Sequence, residues 1–151
     1  MSVERVKQFF AERNLPYPIW EFDTSTATVE LAAAALGVEP ARIAKTIAIG
    51  LKEGVIVVVA KGDARIDNRK FKDCFKQKAK MLSPDEVLAA TGYPVGGVCP
   101  FALGDIPVYL DVTLKEFDYV YPAAGSPNSA TKITPEELAA VTGGTWVDVC
   151  K

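Results

Sequence analysis

Ile43-Ala44-Lys45-Thr46-Ile47-Ala48-Ile49, followed after five residues by Val55-Ile56-Val57-Val58-Val59-Ala60, is the stretch that decides the fold of this chain. Both segments are rich in β-branched residues, which favour strands. The connection Gly50-Leu51-Lys52-Glu53-Gly54 is short enough for a hairpin. We therefore predict two neighbouring antiparallel strands over residues 45–49 and 55–60.

Helix signals lie on both sides of this hairpin. Thr28 and Gly37 bracket one helix, and Asp67 begins another that should bury Phe71, Cys74 and Phe75. Two later segments, 83–92 and 134–143, share one pattern of a hydroxyl residue, proline, two acidic residues and a terminal glycine. This pattern predicts two helices with capping boxes and glycine stops.

Short β-prone runs occupy much of the remaining chain, at residues 19–22, 93–98, 108–111, 119–121, 130–133 and 145–149. No low-complexity linker separates them. The sequence therefore predicts one α+β domain over residues 1–151, with a mixed sheet that helices cover in part.

The composition limits the chemistry. The 151 residues include no histidine and three cysteines without a CxxC pair, which favours reduced thiols over a disulfide framework or a metal site. No apolar window is long enough to span a bilayer, and the N-terminus lacks a signal-peptide pattern. We expect a cytoplasmic protein with no cofactor, no bound metal, and neither a membrane nor DNA as partner.

Charge is concentrated in residues 61–80, which hold eight basic and three acidic side chains although the whole chain carries a net charge of −2. Such a basic segment suits a polyanion, and a solvated helix face is the alternative.

Two sites stand out as chemically useful. Lys45 begins an apolar strand, where its ammonium can enter a cleft; an edge lysine that discourages strand pairing is the alternative. Gly96-Gly97-Val98-Cys99-Pro100 forms a loop whose backbone can press against a ligand. A bulge or tight turn would require the same glycines.

Weaker candidates remain. A second glycine loop runs from Ala123 to Ser129, with an ordinary turn as its alternative. Cys99 lacks the neighbouring base that a nucleophilic thiol requires. Asp111 and Glu21 are lone carboxylates at strand ends.

Taken together, several segments resemble the YbaK/EbsC family, which includes the editing domain of bacterial prolyl-tRNA synthetases and its free-standing relatives. The segments occur in the expected order over nearly the whole chain: Trp20-Glu21-Phe22-Asp23, Lys45-Thr46, Thr91-Gly92-Tyr93, residues 95–100, and the Gly125 loop before Ile133-Thr134-Pro135-Glu136-Glu137-Leu138.

The resemblance implies a mixed, mostly antiparallel, barrel-like sheet flanked by helices. It also implies a deacylase that hydrolyses the ester of mischarged tRNA in trans, on tRNA(Pro) carrying a small wrong amino acid such as alanine or cysteine. The acceptor end of the tRNA would be the partner, with prolyl-tRNA synthetase as a further candidate. A basic-Arg-Gly turn typical of the Cys-tRNA-specific branch is replaced here by Ser126-Pro127-Asn128.

Site residues follow from the same resemblance. Lys45 would be the essential lysine, and the backbone of Gly96 and Gly97 would assist catalysis. The implied substrate contacts are Trp20, Phe22, Thr46, Val98, Cys99, Pro100, Gly125, Ser126 and Asn128. For the tRNA backbone we expect contacts from Arg65, Arg69, Lys70, Lys72 and Lys76.

Two alternatives stay open. A non-catalytic module of the same fold would bind tRNA or a synthetase without turnover. A hydrolase of small molecules centred on the Cys99 thiol is the other.

Overall fold

The computed structural model describes the backbone of residues 2–151 and the side chains from Val3 onward. Five α-helices and eight strands occur in this part of the chain. The helices are α1 (Ser2–Glu12), α2 (Val29–Leu36), α3 (Asn68–Phe75), α4 (Pro84–Thr91) and α5 (Pro135–Thr142). The strands are β1 (Ile19–Glu21), β2 (Ile43–Leu51), β3 (Gly54–Lys61), β4 (Lys80–Met81), β5 (Val108–Asp111), β6 (Tyr121–Pro122), β7 (Ser129–Thr131) and β8 (Thr145–Val147).

The main sheet has the strand order β4-β2-β3-β5-β8, with β6 also paired to β2, while β1 and β7 form a separate pair. The predicted α+β fold with a mixed sheet is confirmed. Across residues 2–151 the sheet does not close into a barrel, and three pairings are antiparallel and three parallel. Antiparallel pairing is less dominant than expected because helices carry the chain back between β3, β5 and β8, so that these strands run parallel.

The β2–β3 hairpin forms the centre of the sheet, with Ile47 opposite Val58 and a turn of only two residues. Val57 and Val59 point into one core, which α1 and α5 help to cover, whereas Ile56 and Val58 point into another around Phe71 of α3. A sheet covered on both faces requires the continuous apolar runs seen in this hairpin.

One edge of β2 is open over four residues. β6 pairs with β2 at Ile43 and Ala44, and β4 pairs with it at Ile49 and Gly50. The amide of Val57 in β3 donates to Pro107 O at 3.1 Å, on the β5 side, so its β2 partner Ala48 directs its own backbone groups away from β3. Thr46, two residues earlier, has the same orientation and faces the gap between β6 and β4.

The predicted caps are confirmed. Thr28 accepts from the amide of Leu31 at the start of α2, and α4 and α5 each begin with a complete capping box. Gly92 and Gly143 end these two helices in the left-handed conformation. No helix in the described part of the chain combines the length and apolarity needed to cross a bilayer.

Two local predictions were wrong. Residues 93–98 form no strand, because Pro94 begins a turn closed by a 2.9 Å hydrogen bond from Gly97 N to Pro94 O. Cys74 is exposed rather than buried. The rings of Phe71 and Phe75, with centroids 4.6 Å apart, occupy the face of α3 that contacts the sheet and leave Cys74 at its margin.

Candidate functional site

A cavity of about 320 Å³ lies at the open edge of β2. This volume is at the lower end of the range for small-ligand sites, so the cavity suits one end of a larger molecule. Its wall combines β2, the segment that begins α2, the glycine loop after α4, and the residues around β6 and β7. The lining residues are Thr26, Ala27, Thr28, Val29, Ala32, Ile43, Ala44, Lys45, Thr46, Ile47, Ala48, Met81, Leu82, Val87, Val95, Gly96, Val98, Tyr121, Ala123, Ser129 and Ala130.

Lys45 contributes to the cavity wall and is half-buried. Its ammonium donates to Gly62 O at 3.2 Å and also to Ala64 O, both in the segment that follows β3. Burial lowers the pKa of Lys45, since desolvation penalises the charged form more than nearby acidic groups favour it. The cavity wall thus includes a lysine whose ammonium loses its proton more easily than that of an ordinary lysine.

Thr46 also lines this cavity, and its backbone faces the open edge of β2. Its side chain lies on the other face of β2 from that of Lys45, because side chains alternate along a strand. The Thr46 Oγ1 atom is buried and has no hydrogen-bond partner within residues 2–151. Buried polar groups normally have partners, so this hydroxyl is an exception, in a residue that belongs to the cavity wall.

The glycine loop lines the same cavity as Lys45 and Thr46, through Gly96 and Val98. Gly96 has φ +89°, and a Cβ at this position would lie 2.8 Å from Ala27 Cβ. Gly97 packs equally closely against the backbone of Ser126 and does not line the cavity. Its amide donates to Pro94 O and closes the turn. Both glycines are therefore required for the approach of the loop to its neighbours, and of the two only Gly96 reaches the cavity.

Cys99 and Pro100 are buried behind the loop. Burial raises the pKa of the Cys99 thiol to about 12, so the thiol is protonated near neutral pH. A hydrolase centred on this thiol would need the opposite, an accessible thiolate.

The other expected substrate contacts lie outside the cavity wall. Trp20, on β1, is partly exposed, and Phe22 exchanges two hydrogen bonds with Asn128, from Phe22 N to Asn128 O at 2.8 Å and from Asn128 Nδ2 to Phe22 O at 3.0 Å. Ser126 Oγ donates to Asn128 Oδ1 at 2.7 Å in the loop that contains Gly125. These polar side chains hold the second glycine loop against the strand that precedes α2.

The two lone carboxylates have structural partners. Asp111 is fully buried and accepts from Val149 N at 2.8 Å and from Thr113 N at 3.0 Å. Glu21 pairs with Lys7 at 2.7 Å on the surface. Neither residue lines the cavity.

The basic residues expected to contact tRNA lie on α3 and its flanks. Four of them are exposed, without an ion pair inside the described chain: Arg65, Arg69, Lys72 and Lys76. Lys70 differs, since its ammonium contacts Asp148 at 3.1 Å and Cys150 O at 2.9 Å. Arg65 follows the carbonyl of Ala64 that holds Lys45, and its charge also lowers the pKa of Lys45. The basic surface therefore begins beside the cavity.

Sequence reasoning missed the wall formed by residues 26–29. We interpreted Thr28 only as a helix cap, which it is. The run Thr24-Ser25-Thr26 before it contains more hydroxyl groups than a cap requires, and this excess was the available signal.

Comparison with known proteins shows which family the sequence matches. Residues 23–141 match the model of a family described as the aminoacyl-tRNA editing domain. The uncharacterised protein YwhH of Bacillus subtilis is 51% identical, over 100% of this chain and 98% of its own length. A protein of Enterococcus faecalis named "Putative Cys-tRNA(Pro)/Cys-tRNA(Cys) deacylase EbsC" is 29% identical over 91% of this chain and 87% of its own.

Among solved structures, one described as "a putative trans-editing enzyme for prolyl tRNA synthetase" superimposes with a TM-score of 0.89 at 30% identity. The match covers 99% of this chain and 96% of that one.

Proposed function

Because the chain belongs to the family of aminoacyl-tRNA editing domains, we propose that it is a trans-acting deacylase that hydrolyses the ester of mischarged tRNA. The first substrates to test are tRNA(Pro) carrying alanine or cysteine. One observation carries the proposal: Lys45, Thr46 and Gly96 line a single cavity although Lys45 and Gly96 are far apart in sequence.

The reaction requires few catalytic groups from the protein. An aminoacyl ester is already activated, and a water that adds to its carbonyl carbon breaks the bond to the ribose oxygen. That oxygen takes a proton from the water, which leaves a free amino acid and an uncharged tRNA. The neighbouring ribose hydroxyl of the substrate can assist the transfer, so the absence of histidine from the chain is no obstacle.

Backbone donors would stabilise the developing oxyanion. The amide of Gly97 is committed to its turn, so the donors in this proposal are the amides of Gly96 and Thr46. A preorganised donor of this kind is worth about 3 kcal/mol of the barrier. Lys45 would anchor a phosphate or the amino-acid carbonyl and hold the ester against these donors.

A panel of mischarged tRNAs tests the proposal, with the wild-type protein, Lys45→Ala and Lys52→Ala. Lys52 lies in the turn of the same hairpin and is exposed, so its variant controls for the loss of one positive charge. We expect wild type and Lys52→Ala to release amino acid from at least one tRNA, and Lys45→Ala to release none while remaining folded. Full activity of Lys45→Ala would refute the role of the lysine, and tRNA binding without release by the wild type would favour a binding module.

The same proposal places the tRNA backbone on the basic surface formed by Arg65, Arg69, Lys72 and Lys76. Exposed cations beside the cavity can neutralise phosphates while the acceptor end enters. We expect Arg69→Glu with Lys72→Glu to raise KM about tenfold at low salt and to leave kcat unchanged, whereas Lys52→Glu should change neither. An equal effect of the Lys52 variant would indicate general charge repulsion instead of a contact surface.

A further inference from the structure

Arg5, on α1, closes the base of the loop that carries Gly96. Its guanidinium donates through Nη1 to Thr91 O at 3.2 Å, before the loop, and through Nη2 to Ala102 O, after it. The guanidinium carbon also lies 4.8 Å from the ring centre of Tyr93. One side chain thus joins the two ends of the span that contains the glycine turn.

The surrounding residues are arranged to admit this side chain. A Cβ on Gly92 would overlap the guanidinium, so glycine leaves the space that Arg5 occupies. Ala102 has φ +56°, a conformation that residues other than glycine rarely adopt. Tyr93 is fully buried and its hydroxyl donates to Phe101 O at 2.6 Å, which joins the loop ends a second time beneath Arg5.

We propose that Arg5 is a positioning residue for deacylation, which holds the base of the loop so that Gly96 stays at the cavity wall. The proposal rests on the proposed function. It requires arginine in particular, because a planar guanidinium can donate to two carbonyls in different directions, whereas a lysine ammonium on a flexible stem holds such a pair less rigidly. Arg5 lines no part of the cavity and touches no reacting atom.

The test compares Arg5→Met with Arg13→Met. Arg13 directly follows the same helix, its guanidinium carbon lies 3.8 Å from the ring centre of Phe9, and its hydrogen bond and ion pair go to Phe9 O and Glu12, not to the loop. In Arg5→Met we expect amide hydrogen exchange at Tyr93 and Gly97, the loop amides that donate to Thr91 Oγ1 and Pro94 O, to accelerate at least about tenfold, with exchange in β2 and β3 unchanged. We expect kcat to fall about ten- to a hundredfold with a smaller change in KM, since misplacement acts on the reaction geometry. Arg13→Met should match the wild type.

Equal acceleration of exchange in the loop and in β2 and β3 would overturn the proposal, because it would mean general destabilisation. Unchanged loop exchange in Arg5→Met would overturn it as well. If Arg5→Met does not fold, Arg5→Lys decides: intermediate loop exchange supports the proposal, and wild-type exchange and kcat refute it. The exchange measurements do not depend on turnover, so they test the loop even if the wild type deacylates no tRNA and the proposed function itself fails.

Discussion

The two walls of the cavity are built by opposite means. On one wall, Lys45 and Thr46 belong to β2, the longest strand of residues 2–151, where pairing with β3 fixes the backbone. On the other wall, Gly96 belongs to an irregular turn whose shape depends on close contacts with neighbouring loops. A side-chain change on the strand should therefore remove chemistry and leave the backbone in place, whereas one added methyl group on the loop should move the backbone itself.

The largest effect is expected for Gly96→Ala. Its Cβ would be strained by the positive φ and would press on Ala27, and together these should lower the free energy of unfolding by about 3 kcal/mol and abolish activity. Gly104→Ala is the matched control, since Gly104 has φ +65° but a Cβ added there would meet no other atom within 4 Å. It should lose only about 1 kcal/mol and keep its activity. Thermal and urea unfolding give the free energies, and equal losses in the two variants would contradict the close contact with Ala27.

The deacylation rate at alkaline pH tests the role of Lys45 on the strand wall. Because burial lowers the pKa of Lys45, its ammonium loses the proton at a lower pH than an ordinary lysine, whose pKa is about 10.4. Deacylation should therefore decline on a limb with a midpoint below that value. Initial rates from about pH 6 to 10, corrected for spontaneous ester hydrolysis and paired with circular dichroism, measure this limb. A corrected rate that stays flat to the top of that range would contradict a required ammonium whose pKa lies well below the ordinary value.

A smaller effect is expected for Thr46→Val, which removes the unpaired hydroxyl and keeps the shape. The free energy of unfolding should rise by about 1 kcal/mol, because a buried hydroxyl without a partner is costly. We expect kcat/KM to fall about tenfold. Thr131→Val is the control, since Thr131 Oγ1 is also buried and unpaired within the described chain but lies outside the cavity wall. It should gain similar stability with unchanged kinetics, and unchanged kinetics in both variants would leave the main chain of Thr46 as the only contact.

The smallest expected effect is a change in how many cysteine thiols react quickly with a labelling reagent. Cys74 is exposed, whereas Cys99 and Cys150 are buried, with their pKa values raised to about 12. A disulfide reagent should modify one thiol per native chain quickly and three after unfolding. In Gly96→Ala a second fast thiol would report that the loop wall has opened around Cys99. Two fast thiols in the wild type would show that the loop opens on its own.

Local sequence was sufficient for the elements whose stability is local. Thr28 and Gly37 defined α2, and the valine-rich run from residue 55 defined β3. Pairing between strands that are distant in sequence could not be predicted. β5 and β8 pair at Leu110 and Trp146 although α5 and other elements separate them along the chain. The antiparallel emphasis and the barrel shape were expected from resemblance, whereas the pairing depends on where the helices cross.

The two capped helices show where such reasoning stops. α4 and α5 have nearly the same sequence pattern and the same glycine stop. Thr145–Val147 after α5 becomes a strand because the edge of β5 is available to it, while residues 93–98 contain Pro94 and a Gly96 with positive φ, which turn the chain. Among the residues that line the cavity, Lys45, Thr46, Gly96 and Val98 were expected from the sequence, and their roles stay predictions. The wall from residues 26–29 could not, since its place depends on the packing of α2 beside β2.

The short interruption in strand pairing beside Thr46 has a consequence for selectivity. A hydrogen bond to a peptide group does not depend on which side chain that residue carries, so substitution cannot easily remove it. In the proposed deacylation, contacts made there would suit the atoms that every aminoacyl ester has in common. The apolar side chains around the gap, among them Val95 and Met81, can then change in size and discriminate one amino acid from another at no cost to the shared contacts.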